Sequence, residues 1–509
     1  MPISATPRIW GDEIGLSLPP DYMRIRGEVE RWASSNSGPL IHPLLSLQKR
    51  SVAHAVALRY CCIFDDMGLG KTAQSLAINA FGGHKCTFVL CPNNVKKIWI
   101  AEILKFLGVK ESAIYVGKGA EIVTLPPKVA QRYKFIIFNY ESFVVAGKTP
   151  DIIPAPFQVC NHHILDEVHY FRNAHSDRFI SYFNHLVKRP PHRLTMLSGT
   201  PIDRCITDAW PYLAMLDLCP STPRRPFLSY FINSTMFAER YANPRQAQRN
   251  GRAAYGGYRE ETLPEVGRMF GGRVVHRKIE EIVELKPLRI KEKVIVPAAV
   301  NEEETLLQFK RAFALISKSK EKMKEWEKGE NTSDMFLKIV QRLRHDIAVG
   351  KTGHTIEIGE EYYENYGPTI IFSEFIEPVE RLSIAFKAKG LESVVIRGDI
   401  PLSERYDRVS KFKEGRIPFL IATYGVLSEG ENLQMSCSMI LNDLPWQPLV
   451  IKQAQRRIWR IGQDKECFCY IVTSKSDHFV QRALNMKGEM IAKIEADFAN
   501  AQKVYKLVE

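Results

Sequence analysis

Phe64-Asp65-Asp66-Met67-Gly68-Leu69-Gly70-Lys71-Thr72 is the stretch from which the rest of this 509-residue chain can be read. The apolar run before it, Tyr60-Cys61-Cys62-Ile63, reads as a buried strand, and Ala73-Gln74-Ser75-Leu76-Ala77 after it reads as a helix. A strand, a Gly-rich turn, Lys-Thr and a helix together form a phosphate cradle. Main-chain N–H groups of the turn and of the helix start point at an anion. Lys71 is placed to reach β and γ phosphates, and Thr72 offers a hydroxyl to Mg²⁺. Asp65 stands where the general pattern has its first glycine, which makes the match less generic and more particular.

Outward from this run, apolar strand-like segments alternate with helix-like ones in two stretches. The first holds Phe88-Val89-Leu90, Phe135-Ile136-Ile137-Phe138, His163-Ile164-Leu165 and Leu194-Thr195-Met196-Leu197. The second holds Thr369-Ile370-Ile371-Phe372, Val394-Val395-Ile396, Phe419-Leu420-Ile421 and Met439-Ile440-Leu441. Such alternation predicts parallel sheets covered by helices, hence an α/β chain. The expected organisation is a short N-terminal segment (1–39), a first lobe (40–290), a helical inter-lobe segment (291–354) and a second lobe (355–509). The segment from Asn301 to Arg344 is rich in Lys and Glu, with Leu306, Phe309, Phe313 and Ile316 at helical spacing. Gly350-Lys351-Thr352 follows helical sequence rather than a strand and lacks a Gly-rich turn, so a phosphate role is not expected there.

Charge points to a polyanion. Seventy Lys and Arg against 57 Asp and Glu give a net charge of +13, which favours nucleic acid as partner. Between 240 and 259, Arg240, Arg245, Arg249, Arg252 and Arg259 interleave with Tyr241, Tyr255, Tyr258 and glycines. This stretch reads equally as nucleic-acid contact or as a solvated loop. The ten cysteines form no Cys-x-x-Cys, so zinc and disulfide frameworks are poorly supported and buried thiols are expected. His162 and His163 are adjacent on a strand and therefore point to opposite faces, which argues against a shared metal. Met1 to Leu16 shows no secretion signal, and no apolar run is long enough to span a membrane, so a cytoplasmic setting is expected, a bacterial or viral origin being favoured and a nuclear setting the alternative.

Two further constellations carry chemistry. Asp166-Glu167-Val168-His169 follows the strand around Ile164-Leu165. An acidic pair at the carboxyl end of a buried strand suits metal-dependent phosphoryl transfer, with Asp166 holding Mg²⁺ and Glu167 activating water. Gln453-Ala454-Gln455-Arg456-Arg457-Ile458-Trp459-Arg460-Ile461-Gly462-Gln463 places Arg457 and Arg460 three apart. On a helix they would share one face, able to stabilise a transferring phosphate.

DDMGLGKT, DEVH, Ser198-Gly199-Thr200-Pro201 and QAQRRIWRIGQ, in this order, resemble the motifs of superfamily 2 helicase-type ATPases, and more narrowly of SNF2-family double-stranded-DNA translocases. The resemblance runs from about residue 40 to 490. It accounts for Asp65, since the family form of the first motif begins Asp-Glu, with Asp66 standing in for the glutamate. Tyr255-Gly256-Gly257-Tyr258 and Val275-His276-Arg277-Lys278 look most like the branch of annealing helicases and fork remodellers.

The resemblance implies two RecA-like lobes with ATP and Mg²⁺ between them, acting on double-stranded or branched DNA. It implies nucleotide contacts from Gln48, Asp65, Met67, Gly68, Leu69, Gly70, Lys71, Thr72 and Gly430, metal contacts from Thr72 and Asp166, and catalytic roles for Lys71, Asp166, Glu167, Arg457 and Arg460. It also implies DNA-facing positions at Asn93, Asn94, Asn139, Tyr140, Ser373, Thr423 and Trp446. Arg456 and Trp459 depart from the acidic residue and histidine common in the last motif. The alternatives are a strand-separating DNA or RNA helicase, or a motor subunit of a larger repair or restriction complex.

Overall fold

The structure is a computed structural model. It describes residues 21–34, 40, 42, 44–199, 201–202, 205–220, 227–228, 231–245, 254–279, 285–316, 334–427, 432–478, 480–482, 484, 485 and 489. The chain divides into two compact units, the first running to Ile282 and the second from Val283 to Glu489.

The first unit is built on a seven-stranded sheet: β1 (Tyr60–Ile63), β2 (Thr87–Leu90), β3 (Ile114–Val116), β4 (Phe135–Phe138), β5 (His162–Leu165), β6 (Arg193–Leu197) and β9 (Val274–Val275), in the order β3-β4-β2-β5-β6-β1-β9. A small antiparallel hairpin, β7 (Asn243–Arg245) with β8 (Ala254–Gly256), stands apart from it. Every pairing in the main sheet is parallel. Both faces are covered, which is why these strands read as continuous apolar runs rather than alternating ones. Tyr60, Cys62, Phe88, Leu90, Phe138 and Met196 pack on one face, and Cys61, Ile63, Val89, Ile137 and Ile164 on the other. His162 and His163 obey the same alternation: His162 Nδ1 lies 3.0 Å from Asn79 Oδ1 of helix Lys71–Phe81, and His163 Nδ1 lies 3.1 Å from Tyr182 Oη of helix Asp177–Lys188.

The second unit repeats the plan with β10 (Leu288–Val294), β11 (Thr369–Ser373), β12 (Ser393–Ile396), β13 (Phe419–Thr423), β14 (Ser438–Leu441) and β15 (Cys467–Thr473), ordered β10-β15-β14-β11-β13-β12 and again all parallel. The expected strands are all present. Edge strand β10, Leu-Arg-Ile-Lys-Glu-Lys-Val, escapes sequence reading because it is mostly exposed and charged. The Lys/Glu-rich segment forms helices Glu302–Ile316 and Asp334–Tyr366, the latter unbroken through position 355. Gly350-Lys351-Thr352 lies inside that helix. A Cβ on Gly350 would come 2.7 Å from Ala298 O, so the glycine serves close packing. Lys351 is fully buried with its Nζ 2.5 Å from Asp477 Oδ2 and 2.9 Å from Val472 O.

Parallel pairing has one consequence that fixes the site. Ile63 pairs with Leu197, Leu90 with both Leu165 and Phe138, and Leu165 with Met196. The segments that follow these strands therefore leave the sheet at the same edge, where ligands of open α/β sheets bind. Those segments are Phe64 to Thr72, Cys91 to Asn94, Asn139-Tyr140, Asp166-Glu167 and Ser198-Gly199. All ten cysteines are buried free thiols. Among the described residues, no helix is long and apolar enough to cross a membrane, and no cluster of three or more His, Cys, Asp or Glu is placed to hold a metal.

Candidate nucleotide site

The turn after β1 is shaped by its glycines. Gly68 and Gly70 have φ of 90° and 71°, a region that L side chains rarely adopt. Gly70 caps the start of helix Lys71–Phe81, whose first N–H groups face the turn. A Cβ on Gly70 would sit 2.4 Å from Gln48 Nε2, so the side chain of Gln48 lies directly over the loop. Gln48 is buried, donating to Leu69 O at 3.1 Å and accepting from Leu45 N at 2.9 Å.

Lys71 Nζ donates to the main-chain oxygens of Asp65 (2.9 Å) and Asp66 (3.2 Å). Burial pulls its pKa down, opposed by Glu167, Asp65, Asp166 and Asp66 around it. Gly199, after β6, closes on this lysine. A Cβ there would meet Met67 Cγ at 2.7 Å and Lys71 Nζ at 3.4 Å. Thr72, on the first helical turn, is partly exposed.

Asp65 has another task besides shaping the loop. It is fully buried, and its carboxylate takes a bidentate pair from Arg277, with Arg277 Nε donating to Oδ1 at 2.9 Å and Nη2 engaging Oδ2. Gln74 Nε2 adds a third bond at 3.0 Å. This clamp ties the start of the loop to the segment just after β9. Met67 and Leu69 are buried beneath the loop.

Two strands away from β1, the acidic pair follows β5. Strand spacing puts the two loops roughly 10 Å apart. Asp166 Oδ2 accepts from the indole N–H of Trp99 at 2.7 Å, and Asp166 Oδ1 accepts from Glu167 N at 3.0 Å. Burial and the adjacent Glu167 charge push the Asp166 carboxyl up to about 7. A carboxylate held this way is short of positive charge, and a divalent cation beside it would supply what is lacking. Glu167 has φ of 51°, one of three described non-glycine residues with positive φ. Strain at such a residue costs about 1–3 kcal/mol and concentrates at functional positions. Glu167 Oε2 lies 3.1 Å from His169 Nδ1, which lies 3.3 Å from Ser198 Oγ, linking the acidic pair to the turn after β6.

Other expected positions scatter. Asn93 is exposed and Asn94 partly so at the same sheet edge. Asn139 is partly exposed but engaged, accepting from Lys96 Nζ at 3.0 Å and donating to Glu141 Oε2 at 2.7 Å. Tyr140, expected to face DNA, is fully buried. Its hydroxyl donates to Asp166 O at 2.6 Å and its ring stacks on Tyr170, so it braces the acidic pair and presents no surface to a ligand. In the second unit Ser373 is likewise fully buried, its Oγ donating to Asp443 Oδ2 at 2.5 Å. Thr423 is partly exposed at the end of β13. Trp446 is half-buried beneath the Arg344 guanidinium, 4.7 Å from its ring centre. Gly430 lies outside the described residues.

The expected helix face for Arg457 and Arg460 is not found. The helix Pro448–Gln455 ends with Arg456 as its cap, and both arginines sit on the turns that follow. Gln463 holds those turns, its Nε2 donating to Gln434 O, Ser436 O and Ile458 O at 3.0–3.2 Å. Arg456 lies 4.2 Å over the Trp459 ring, so the two departures from the family pattern stack on each other. Arg457 is mostly buried and Arg460 partly exposed. The Arg/Tyr/Gly stretch divides too. Arg240 and Tyr241 engage Glu265, and Arg259 donates to Ala242 O, while 246–253 lie outside the described residues.

Trp99, Gln74 and Arg277 are the functional neighbours that sequence reading does not single out for this site. Trp99 sits in an ordinary amphipathic helix, and Arg277 reaches Asp65 across 212 positions.

Comparison with known proteins gives the geometry a lineage. The family model of the SNF2-related domain matches residues 47–350, and that of the helicase conserved C-terminal domain matches 354–462. The chain is 22% identical over 464 residues to the DNA annealing helicase and endonuclease ZRANB3 of Mus musculus, covering 88% of this chain and 40% of the mouse protein. It is 23% identical to the uncharacterized ATP-dependent helicase YqhH of Bacillus subtilis, covering 81% of this chain and 71% of that one. The Sulfolobus solfataricus SWI2/SNF2 ATPase core in complex with dsDNA aligns over 86% of this chain and 90% of its own, at 18% identity and a TM-score of 0.39. The chain thus spans about two fifths of the length of the mouse relative.

Proposed function

This chain belongs to the SNF2-related family, and on that premise we propose that it is a DNA-stimulated ATPase that moves on double-stranded or branched DNA. The observation that carries the reading is the convergence at one sheet edge of the Gly68–Thr72 cradle, the acidic pair Asp166-Glu167 with its strained glutamate, and Gly199 against Lys71. Lys71 leaves the main-chain oxygens of Asp65 and Asp66 to engage the β and γ phosphates, and Gln48, over Gly70, reads the base. Thr72 and Asp166 would hold Mg²⁺, which would supply positive charge to the phosphate oxygens. Glu167 orients and deprotonates the attacking water, and His169 carries its position to Ser198. Arg457 and Arg460 of the second unit complete the site when the two lobes close on ATP, excluding water.

A net charge of +13 supports a polyanionic track, and Asn93, Asn94, Asn139, Thr423 and Trp446 are the candidate contacts that keep exposed surface. One relative is named a DNA annealing helicase and endonuclease, which supports DNA as the partner. The test is ATP turnover by the full chain with no DNA, single-stranded, duplex and forked DNA at low salt. Turnover rises with duplex or forked DNA; equal rates with and without DNA would overturn the motor reading.

A further inference from the structure

On the face of the first sheet opposite helix Lys71–Phe81, a cavity of about 520 Å³ opens between helix Asp177–Lys188 and the segment Val144 to Pro150. None of the residues lining it belongs to the nucleotide site. Helical spacing brings Ile180, Ser181, Asn184, His185 and Lys188 to its wall.

Three features of that wall point to an occupant. Ser181 is 5% exposed and His185 2%, yet Ser181 Oγ and His185 Nδ1 have no hydrogen-bond partner among the described residues. Buried polar groups are seldom left so, and both line the cavity. Lys148 and Lys188 are exposed at the rim; Lys188 gives one of its three donors to Pro150 O at 3.2 Å. Ile180 and Val187 are 43% and 41% exposed, two helical turns apart and so about 10 Å apart along the axis. Burial and the Lys188 charge hold His185 below the ordinary imidazole range, so its ring is neutral and can present an Nδ1–H.

We infer that this cavity and the adjoining helix face dock an extended segment of a partner protein in which an Asp or Glu is flanked by apolar residues. The carboxylate accepts from Ser181 and His185 within the lysine field, and the flanking side chains cover Ile180 and Val187. The separation of the two exposed apolar residues exceeds the span of a small acid. A phosphate backbone carries charge along its whole length and would leave Ile180 and Val187 uncovered, which disfavours it. This inference does not depend on the nucleotide reading.

The test is panning of a phage-displayed random dodecamer library on the full chain, with Ile180→Asp as the counter-selection target. Recovered peptides carry Asp or Glu beside apolar residues. By fluorescence anisotropy they bind Ile180→Asp and Lys148→Ala/Lys188→Ala about tenfold or more weaker than the parent. Replacing their acidic residue by its amide weakens them similarly. All three positions are exposed, so thermal transitions of these variants match the parent. The inference is overturned if no peptide is recovered above background, if the variants or the amide peptides bind equally well, or if the lysine pair proves to set duplex-DNA affinity while leaving peptide binding untouched.

Discussion

Replacing Arg277 by Met would separate the nucleotide loop from the strand that anchors it. Asp65 has no exposed surface and Arg277 is 8% exposed, so the pair is shielded from solvent. Unit charges about 4 Å apart attract by about 4 kcal/mol at an effective dielectric near 20. Removing one member of a buried pair typically costs about 3–5 kcal/mol, because the survivor is left buried and uncompensated. Gln74 still donates to Asp65 Oδ2, which keeps the loss near the lower end, about 3 kcal/mol. At roughly 2–4 °C per kcal/mol for a unit of this size, the transition of the first unit falls by about 6–12 °C. Lys71 hangs from the main-chain oxygen of Asp65, so nucleotide affinity falls as well, by about tenfold. Differential scanning calorimetry of the parent, Arg277→Met, Asp65→Asn and the double variant closes a mutant cycle. A coupling energy near zero, or an Arg277→Met chain within about 1 kcal/mol of the parent, would refute the clamp.

Gly199→Ala forces Met67 and the Lys71 ammonium apart, so ATP turnover falls while the melting temperature moves little; turnover at parental level would show that Gly199 does not set the lysine. Trp99→Phe removes the only side-chain donor described to Asp166, which raises that carboxyl further above about 7; an infrared carboxyl titration of the metal-free chain reads the shift to higher pH, and an unchanged titration would show that the indole does not hold the carboxylate. His54, held at about 4 by burial, and His163, at about 3, are neutral in the fold and gain protons near pH 6.5 once unfolded. Their folded values are depressed, so stability is intact above pH 6.5 and is lost as pH falls towards 4, on the order of 3 kcal/mol for each fully buried ring. Urea midpoints that do not change between pH 7 and pH 4.5 would contradict this. Arg460→Ala and Lys71→Ala each lower DNA-stimulated turnover about 10³-fold; near-normal turnover in Arg460→Ala would remove the arginine from the mechanism.

The strands were legible because a parallel sheet covered on both faces needs apolar residues at every position, as in Phe135-Ile136-Ile137-Phe138. Strand β10 was not, since an exposed edge tolerates Arg, Lys and Glu. The cradle was legible because glycines at positive φ followed by Lys-Thr have few other uses. The surroundings of Asp166 were less so. Trp99 and Tyr140 act through one hydrogen bond each, and nothing local distinguishes an indole or a phenol that packs from one that also donates.

The sequence by itself determined that two parallel α/β units are present, that the loop from Phe64 to Thr72 has the form of a phosphate cradle, and that the chain belongs with the SNF2 motifs. Those are properties of local pattern: apolar runs, glycine spacing and fixed motif order. Only the tertiary structure decided what each motif residue spends its side chain on. Asp65 is committed to Arg277, Tyr140 and Ser373 are turned inward, and Arg457 and Arg460 stand on turns beyond a helix that stops at Gln455. The reason is physical: a buried polar group must find a partner, and that partner can lie two hundred residues away, where no periodicity in the chain records it.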